Sequence, residues 1–154
     1  MDWTLAGASH LASDLRLAAV TDMPVLLSGS PSACRKIAWE LDRRSRDPRG
    51  AVEVVDCRQA GALGAFRGLT RREASLADAR RAPILLLQEV HALNPMDQAL
   101  LEKEIEEVRM RPNHTVRILA SSSAQLFDRV VDQLFSERLY YRLNVIHVIV
   151  PPDN

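Results

Sequence analysis

The sequence predicts an α/β fold, in which a five-stranded parallel sheet carries helices on both faces. Five short apolar runs, several of them bounded by proline or glycine, are typical of parallel strands that are buried on both sides. Segments with helical spacing of apolar residues separate these runs along the whole chain, and this alternation indicates a parallel sheet. The predicted strands are residues 24–28, 51–56, 84–88, 116–120 and 145–150.

The segments between these runs predict helices, two of which have clear start signals. Leu11 to Val20 carries apolar residues at helical intervals after Ser9, which is suited to an N-cap. Asn94 and Pro95 predict the cap and the first residue of a later helix that runs to about residue 108. The other predicted helical segments are residues 32–44, 70–80 and 124–141.

Glycines and charged residues lead to two further expectations. The segment from Gly61 to Gly68 is dotted with glycine and predicts a loop. A set of glutamates in the helix after Asn94 predicts a solvated acidic face, opposed by a basic patch at the end of residues 32–44. The glutamates are 102, 104, 106 and 107, and the arginines are 43, 44, 46 and 49.

Length and composition predict one cytoplasmic domain over residues 1–154. A chain of 154 residues is long enough to bury about two-thirds of its unfolded surface in one core. The formal net charge is zero, and no apolar run approaches the roughly 20 residues that span a bilayer. The start, MDWTLAG, lacks the layout of a signal peptide. We therefore expect neither membrane insertion nor direct DNA binding.

Cysteine and histidine placement predicts neither a disulfide nor a metal site. Cys34 and Cys57 lie in different predicted elements and fit no metal-ligand spacing. The same holds for the histidines, of which His147 falls inside the last strand as a core or edge residue. Arg35 beside Cys34, at a helix start, leaves open a thiol with a lowered pKa. The four histidines are 10, 91, 114 and 147.

The stretch GSPSACRK, residues 29–36, occupies the position of a phosphate-binding loop. A strand that ends in glycine and turns directly into a helix presents backbone N–H groups to an anion. A working loop reads G-x-x-x-x-G-K-[ST], whose lysine reaches the phosphates and whose hydroxyl holds magnesium. Gly29 keeps the first glycine, but Cys34, Arg35 and Lys36 stand at the other three places. The position of the loop is therefore retained without three of its functional groups.

Several strings resemble the AAA+ domain of bacterial sigma-54-dependent transcription activators. LAGAS at residues 5–9 resembles the family's (I/L)-x-G-x-S, and residues 24–36 resemble VLLxGExGTGKE. FSERLYYRLNV at residues 135–145 resembles FREDLYYRLNV. The resemblance implies a three-layer, P-loop NTPase-like sandwich with strand order 5-1-4-3-2 and a helical lid after the fifth strand. We expect a single degenerate core domain without the lid or a DNA-binding domain.

The resemblance assigns catalytic roles to positions that this chain fills differently. In the family's Walker B segment an aspartate orders the magnesium shell and the next residue, a glutamate, positions the attacking water. Here the pair is Gln88 and Glu89. Of the two family arginines that reach a neighbouring subunit's site, one is matched by Ser136 and the other by Arg142. Arg138 is out of register to replace the missing one.

Two further family motifs are altered. Serines at residues 121–123 replace the sensing asparagine at the end of the fourth strand. The sigma-54-contacting GAFTGA loop is matched by GAFRGL at residues 64–69, which keeps Phe66 and places Arg67 at the threonine. Remnant and chance similarity both remain open for this string.

Together these substitutions predict a sigma-54-activator-like domain that has lost ATP hydrolysis and binds no cofactor. Catalytic parts that act as a unit also fail as a unit. The domain would serve as a protein-interaction, scaffolding or regulatory module, bound to another protein or to itself through the former subunit faces. The expected interaction residues are Arg142, Arg138, Arg43, Arg44, Phe66 and Arg67.

Two alternatives belong to other functional classes. The first is an ATP-binding fragment of a sigma-54-dependent regulator with weak ATPase activity. It is favoured by Gly29, Glu89, Arg142 and the GAFRGL string. The second is a sensor that binds ATP or ADP weakly without hydrolysis and uses Arg35 as its phosphate contact. In the main interpretation, the phosphate-loop and Walker B positions are vestigial.

Overall fold

The computed structural model of the chain describes residues 3–46, 48–74, 83–111 and 116–152. Strands and helices alternate along these residues, as the sequence predicts. They are α1 (Trp3–Ala19), β1 (Val25–Ser28), α2 (Pro31–Arg44), β2 (Val52–Asp56), α3 (Ala62–Ala74), β3 (Ile84–Gln88), α4 (Pro95–Met110), β4 (Arg117–Ser122), α5 (Leu126–Val131), α6 (Glu137–Leu143) and β5 (Ile146–Ile149).

The strands form one parallel sheet in the order β2-β3-β4-β1-β5, which confirms the expected order read from the other edge. β3 and β4 lie inside the sheet, and every one of their residues is buried. Because all strands run the same way, their carboxyl ends meet at one edge. This edge brings together the residues that follow β1, β2, β3 and β4.

Two hydrophobic clusters cover the two faces of the sheet, which makes the fold a three-layer sandwich. One cluster contains Leu15 of α1 and Leu41 of α2. The other contains Phe66 of α3, Leu101 of α4 and Leu139 of α6. Burial of apolar area on both faces explains why the strands read as continuous apolar runs rather than as alternating ones.

The predicted loop over residues 61–68 is wrong, because α3 begins at Ala62. Leu63 and Phe66 are buried at helical spacing, whereas Gly64 and Gly68 lie where an added Cβ would meet nothing within 4 Å. The glycines therefore lie on the open side of the helix, and the apolar period outweighs their breaking tendency. Of the predicted helix over residues 70–80, residues 75–80 lie outside the described part of the chain.

The first helix is also longer than its pattern indicated. It begins at Trp3, so Ser9 is an internal residue and not the N-cap. Asn94 is a cap as predicted, since its side-chain oxygen accepts a hydrogen bond from the Asp97 N–H at 2.8 Å.

The expectation of a solvated acidic face on α4 fails at Glu104, which is only 3% exposed. The Thr70 hydroxyl of α3 donates to its carboxylate at 2.8 Å. Guanidinium groups of Arg67 and Arg111 lie 3.6 Å and 3.7 Å from its oxygens. A buried charge is tolerated when it is paired and hydrogen-bonded in this way. Glu104 thus fastens α3 to α4.

Replacing Glu104 by alanine is expected to lower the free energy of unfolding by about 1–3 kcal/mol, because Thr70 loses its acceptor and two arginines lose their counter-ion. Urea unfolding measures the change. Arg109, which is exposed on the same helix, provides the control, since Arg109→Ala should change stability by less than about 0.5 kcal/mol. Equal stability of Glu104→Ala and the unaltered chain would contradict the role of this contact.

Candidate functional site

Gly29 lies where β1, β4 and β5 end close together. Its N–H donates to the Ser122 carbonyl at 3.1 Å, and the Val150 N–H donates to the Ser28 carbonyl at 2.8 Å. A Cβ added at Gly29 would lie 3.0 Å from both the Cβ and the carbonyl oxygen of Val150. Any larger residue here would press against the neighbouring strand, so packing favours glycine whether or not an anion binds beside it.

The segment after Gly29 is a helix start rather than an open loop. Ser30 caps α2, which begins at Pro31, only two residues after the glycine. Pro31 has no N–H, the Ala33 N–H donates to the Ser30 hydroxyl at 3.3 Å, and the Cys34 N–H donates to the Ser30 carbonyl at 2.9 Å. A phosphate loop instead leaves its backbone N–H groups pointing at the ligand. The N–H groups of Ala33 and Cys34 are already used by the helix.

Cys34 is fully buried beneath this helix start, with its Sγ 3.8 Å from the Leu27 carbonyl oxygen. Burial raises the pKa of the thiol to about 12, the Glu89 carboxylate adds to the rise, and Arg35 opposes it. The idea of an activated thiol is therefore wrong, because desolvation outweighs the nearby guanidinium. Burial likewise raises the pKa of Cys57 to about 12. Both cysteines are free thiols, as predicted.

Arg35, at the position of the phosphate-loop lysine, contacts the Walker B position directly. Its guanidinium donates to the Gln88 side-chain oxygen at 2.6 Å, and the group is half-buried rather than simply solvent-facing. Gln88 is itself buried and donates through its amide to Asp56. Arg58 holds the pKa of the Asp56 carboxyl below its usual value. A chain of contacts therefore runs from Arg35 through Gln88 and Asp56 to Arg58, while Lys36 is exposed on α2.

Glu89 is buried and its carboxylate is already occupied. One oxygen accepts from the Ser123 N–H at 2.8 Å and the other from the Ser123 hydroxyl at 2.6 Å. The Glu89 N–H donates to the Ser121 hydroxyl at 3.4 Å. The backbone of Glu89 is left-handed, with φ 57° and ψ 52°, a conformation that a non-glycine residue adopts only where surrounding contacts enforce it. The serines that replace the sensing asparagine thus hold the Walker B glutamate.

His91 completes this polar cluster. Its Nδ1 lies 2.9 Å from the Ser122 hydroxyl, and its Nε2 lies 3.8 Å from a Glu89 oxygen. Burial lowers the pKa of His91, and Glu89 opposes the shift. His147 lies on the edge strand β5, which agrees with one of the two predicted placements, core or edge. Its Nε2 lies 2.6 Å from the Ser28 hydroxyl. Within the described residues no group of three His, Cys, Asp or Glu side chains is arranged to hold a metal ion.

The residues at this edge do not fit a magnesium nucleotide in the way that a phosphate loop does. The wrapping loop is replaced by the first turn of α2, a side chain fills the place of the second glycine at Cys34, and the metal-side position carries the neutral amide of Gln88. Mg²⁺ prefers carboxylate and phosphate oxygens over a single amide. The donors present satisfy one another instead.

The family model described as the Sigma-54 interaction domain matches residues 6–149. The chain belongs to this family.

Relatives of this sigma-54 interaction domain are transcriptional regulators. It is 27% identical to the C4-dicarboxylate transport transcriptional regulatory protein DctD of Rhizobium meliloti, over 93% of this chain and 35% of the relative. It is 29% identical to the regulatory protein AtoC of Escherichia coli, over 92% of this chain and 35% of the relative. The chain thus spans about a third of the length of these relatives.

Solved structures confirm the fold. The P-loop NTPase domain of the sigma-54 transport activator from E. coli superposes with a TM-score of 0.69, at 16% identity, over 96% of this chain and 98% of that one. NtrX from Brucella abortus in complex with ATP gives a TM-score of 0.68, at 19% identity, over 96% of this chain and 37% of that one. The P-loop NTPase-like sandwich expected from the sequence is therefore confirmed.

The arginine-finger positions of this family member face its own α4. Ser136 caps α6, since its hydroxyl accepts from the Leu139 N–H at 3.2 Å. Arg142 is half-buried, donates to Glu106, and lies 4.0 Å from Glu102. Arg142 is therefore held within the chain by two carboxylates, and a contact with another molecule would have to break these ion pairs.

Arg138 remains largely open to a partner. It is 80% exposed, and its Nε lies 3.7 Å from Glu102. Together with Arg142 and Arg67, it neutralises much of the negative charge on α4. Glu102, Glu104 and Glu106 are all paired with arginines of the same chain. The expected opposition between an acidic α4 and a basic α2 is correspondingly reduced.

Three other expected interaction residues divide between surface and core. Phe66 is wholly buried, so its assignment to an interaction surface is wrong. Arg43 and Arg44 lie on α2, where they contact Glu40 at 2.5 Å and 2.7 Å. These two stay accessible, whereas the GAFRGL string is part of α3 and not a protruding loop.

No helix within the described residues is both long and apolar enough to cross a membrane.

Neither thiol is expected to react with an aromatic disulfide reagent in the folded chain at pH 8, because burial holds both thiols protonated and shielded. Both thiols should react once denaturant unfolds the chain. Spectrophotometric titration of released thiolate measures the two values. Reaction of one equivalent before unfolding, at the rate of a free cysteine, would contradict the placement of Cys34 under the helix start.

Proposed function

We propose that this sigma-54 interaction domain no longer turns over ATP and acts as a protein-binding regulatory module in transcription control. The main support is the 2.6 Å hydrogen bond between Arg35 and Gln88, which joins the former lysine and magnesium-side positions to each other. A lysine and an aspartate at these places would act on phosphate and metal. Here the two side chains satisfy each other without either ligand.

The position of Glu89 gives independent support. A catalytic carboxylate must be within hydrogen-bond reach of the water that it positions. Both Glu89 oxygens accept hydrogen bonds from Ser123 instead, and His91 lies close by. Because Glu89 is also buried, a water would reach its carboxylate only if this cluster opened. Since several such parts are needed together, their combined loss weighs more than any single one.

The proposed partner is another protein rather than DNA. Arg43 and Arg44, part of the strongest basic run in the sequence, are engaged by Glu40, which leaves less positive charge for a phosphate backbone. Arg138 on α6 and the α2 end of the sandwich are the surfaces proposed to contact this protein. The segment that contacts sigma-54 in the family is here fastened down through Phe66 and Glu104, so we propose that contact with the partner does not use it.

A second candidate function is ATP or ADP binding without hydrolysis. The observation in its favour is that Arg35 is only half-buried, so a phosphate group has access to the remaining guanidinium N–H groups. The Brucella abortus NtrX structures were obtained with ATP and with ADP. In this alternative a nucleotide phosphate would bind the remaining guanidinium N–H groups of Arg35 and would need no contribution from Glu89.

The proposal is tested by the rate of phosphate release from ATP with magnesium, compared between the unaltered chain and Glu89→Gln. We expect both to show only the background rate, because the Glu89 carboxylate is buried and hydrogen-bonded to Ser123. His91→Gln, which leaves every phosphate-loop position unchanged, is the matched control for disturbing the cluster. Magnesium-dependent phosphate release that disappears in Glu89→Gln would overturn the proposed loss of turnover.

A further inference from the structure

Helix α4 exposes a narrow stripe that is complementary to a reversed copy of itself. The α4 stripe consists of Leu100, Lys103, Glu107 and Met110. Successive members are three, four and three residues apart, which is the spacing of a coiled-coil seam. The stripe therefore runs along one side of the helix, away from Leu101, Glu104 and Val108, which are buried against the rest of the domain.

All four members of the α4 stripe are exposed. Met110 is 76% exposed and Leu100 is 40% exposed, although both are large apolar side chains. Lys103 and Glu107 are exposed as well. Within the described residues neither of these two charges forms an ion pair, whereas Glu102, Glu104 and Glu106 are each paired with an arginine. The two charges of the stripe are thus available to a partner.

Reversal of the helix matches unlike groups across the seam. When two copies of α4 run antiparallel about a two-fold axis near residue 105, Lys103 of each copy faces Glu107 of the other. Leu100 of each copy likewise faces Met110 of the other. A parallel arrangement would instead set lysine against lysine and glutamate against glutamate, which is repulsive. The stripe therefore selects one orientation.

We propose that two copies of this chain associate through antiparallel packing of their α4 stripes. The same surface is used on both subunits, as a closed two-fold dimer requires. The apolar contacts at the two ends of the seam supply burial, and the two central ion pairs fix register and direction. Met96, one turn before Leu100 and 74% exposed, extends the apolar edge.

The stripe is short, and this sets the expected strength. From residue 100 to residue 110 it covers about 15 Å of helix, so the interface is at the small end and the dimer should be reversible, with a dissociation constant in the micromolar range. The inference does not depend on loss of ATP turnover, because no residue of the stripe belongs to the candidate site at the sheet edge. A failed dimer test and a failed turnover test are therefore separate results.

A charge-swap series tests the pairing. Lys103→Glu and Glu107→Lys should each weaken the dimer by about tenfold, since each variant replaces two attractive pairs by two repulsive ones. The double variant restores both pairs in reversed form and should return the dissociation constant to within about threefold of the unaltered chain. Sedimentation equilibrium measures the constants, and thermal melting checks that each variant folds. A double variant as weak as the single ones would overturn the proposed pairing.

Two exposed methionines provide a matched control for the apolar contact. Met110→Ala should weaken the dimer, whereas Met23→Ala, which removes a half-exposed methionine outside α4, should not. Equal effects of the two changes would overturn the role of the stripe. An unaltered chain that stays monomeric up to about 1 mM would overturn the dimer itself.

Cysteine cross-linking tests the direction of the helices. In Leu100→Cys combined with Met110→Cys, mild oxidation should give a covalent dimer, since each new thiol faces its counterpart on the other copy. Within one helix the two positions are about 15 Å apart, too far for a disulfide, and the native cysteines are buried. Leu100→Cys alone should stay monomeric on a reducing-agent-free gel. Efficient cross-linking of that single variant would indicate parallel helices and contradict the proposal.

Discussion

Polar groups that parallel strands bring to one edge must be satisfied there, and this constraint governs the whole candidate site. The residues after β1, β2, β3 and β4 converge because every strand ends on the same side. In this chain the convergence allows two hydrogen bonds, one from Arg35 to Gln88 and one from Ser123 to Glu89. Groups buried in this way are costly when unpaired. The contacts between them therefore stabilise the domain itself.

Mutual satisfaction of these side chains has a functional consequence. A ligand that took the Arg35 N–H now donated to Gln88 would have to displace that side chain, and one that replaced Ser123 at Glu89 would have to break two hydrogen bonds. Each displacement leaves a buried polar group to be satisfied again, at a cost of about 1–3 kcal/mol. The helix start at Pro31 and the packing of Gly29 against Val150 add geometric resistance to forming a wide anion loop. The loss of turnover that we propose rests on the same contacts that hold the edge together.

The sequence predicts the order of strands and helices along the chain well, because each strand is a continuous apolar run that can be recognised by itself. The strand order came from the likeness of motifs such as FSERLYYRLNV, since spacing alone does not fix which strands are adjacent. The prediction of a loop at residues 61–68 is wrong because the helical spacing of Leu63 and Phe66 has more influence on the structure than the glycines do. Glu104 was misplaced because a count of charges does not reveal which side of a helix each one occupies.

The sequence predicts which positions form the candidate site, but not which side chains bind one another there. Gln88 and Glu89 were identified, yet the roles of Ser123 and His91 were missed. A run of three serines after a buried strand was the available signal, and it indicated only the absence of an asparagine. Hydrogen bonds between residues 31 to 34 positions apart depend on the sheet order and on the left-handed turn at Glu89. Neither the bonds nor the turn can be derived from local sequence.

We propose that the residues at this edge bind one another in place of a nucleotide. Equilibrium titration of the purified chain with a fluorescent ATP analogue, with and without magnesium, tests it most directly. The account predicts no saturable binding up to millimolar nucleotide, with or without the metal. Saturable binding in the micromolar range that requires magnesium would contradict it, because the residues at this edge would then hold a metal-bound nucleotide despite their contacts with one another.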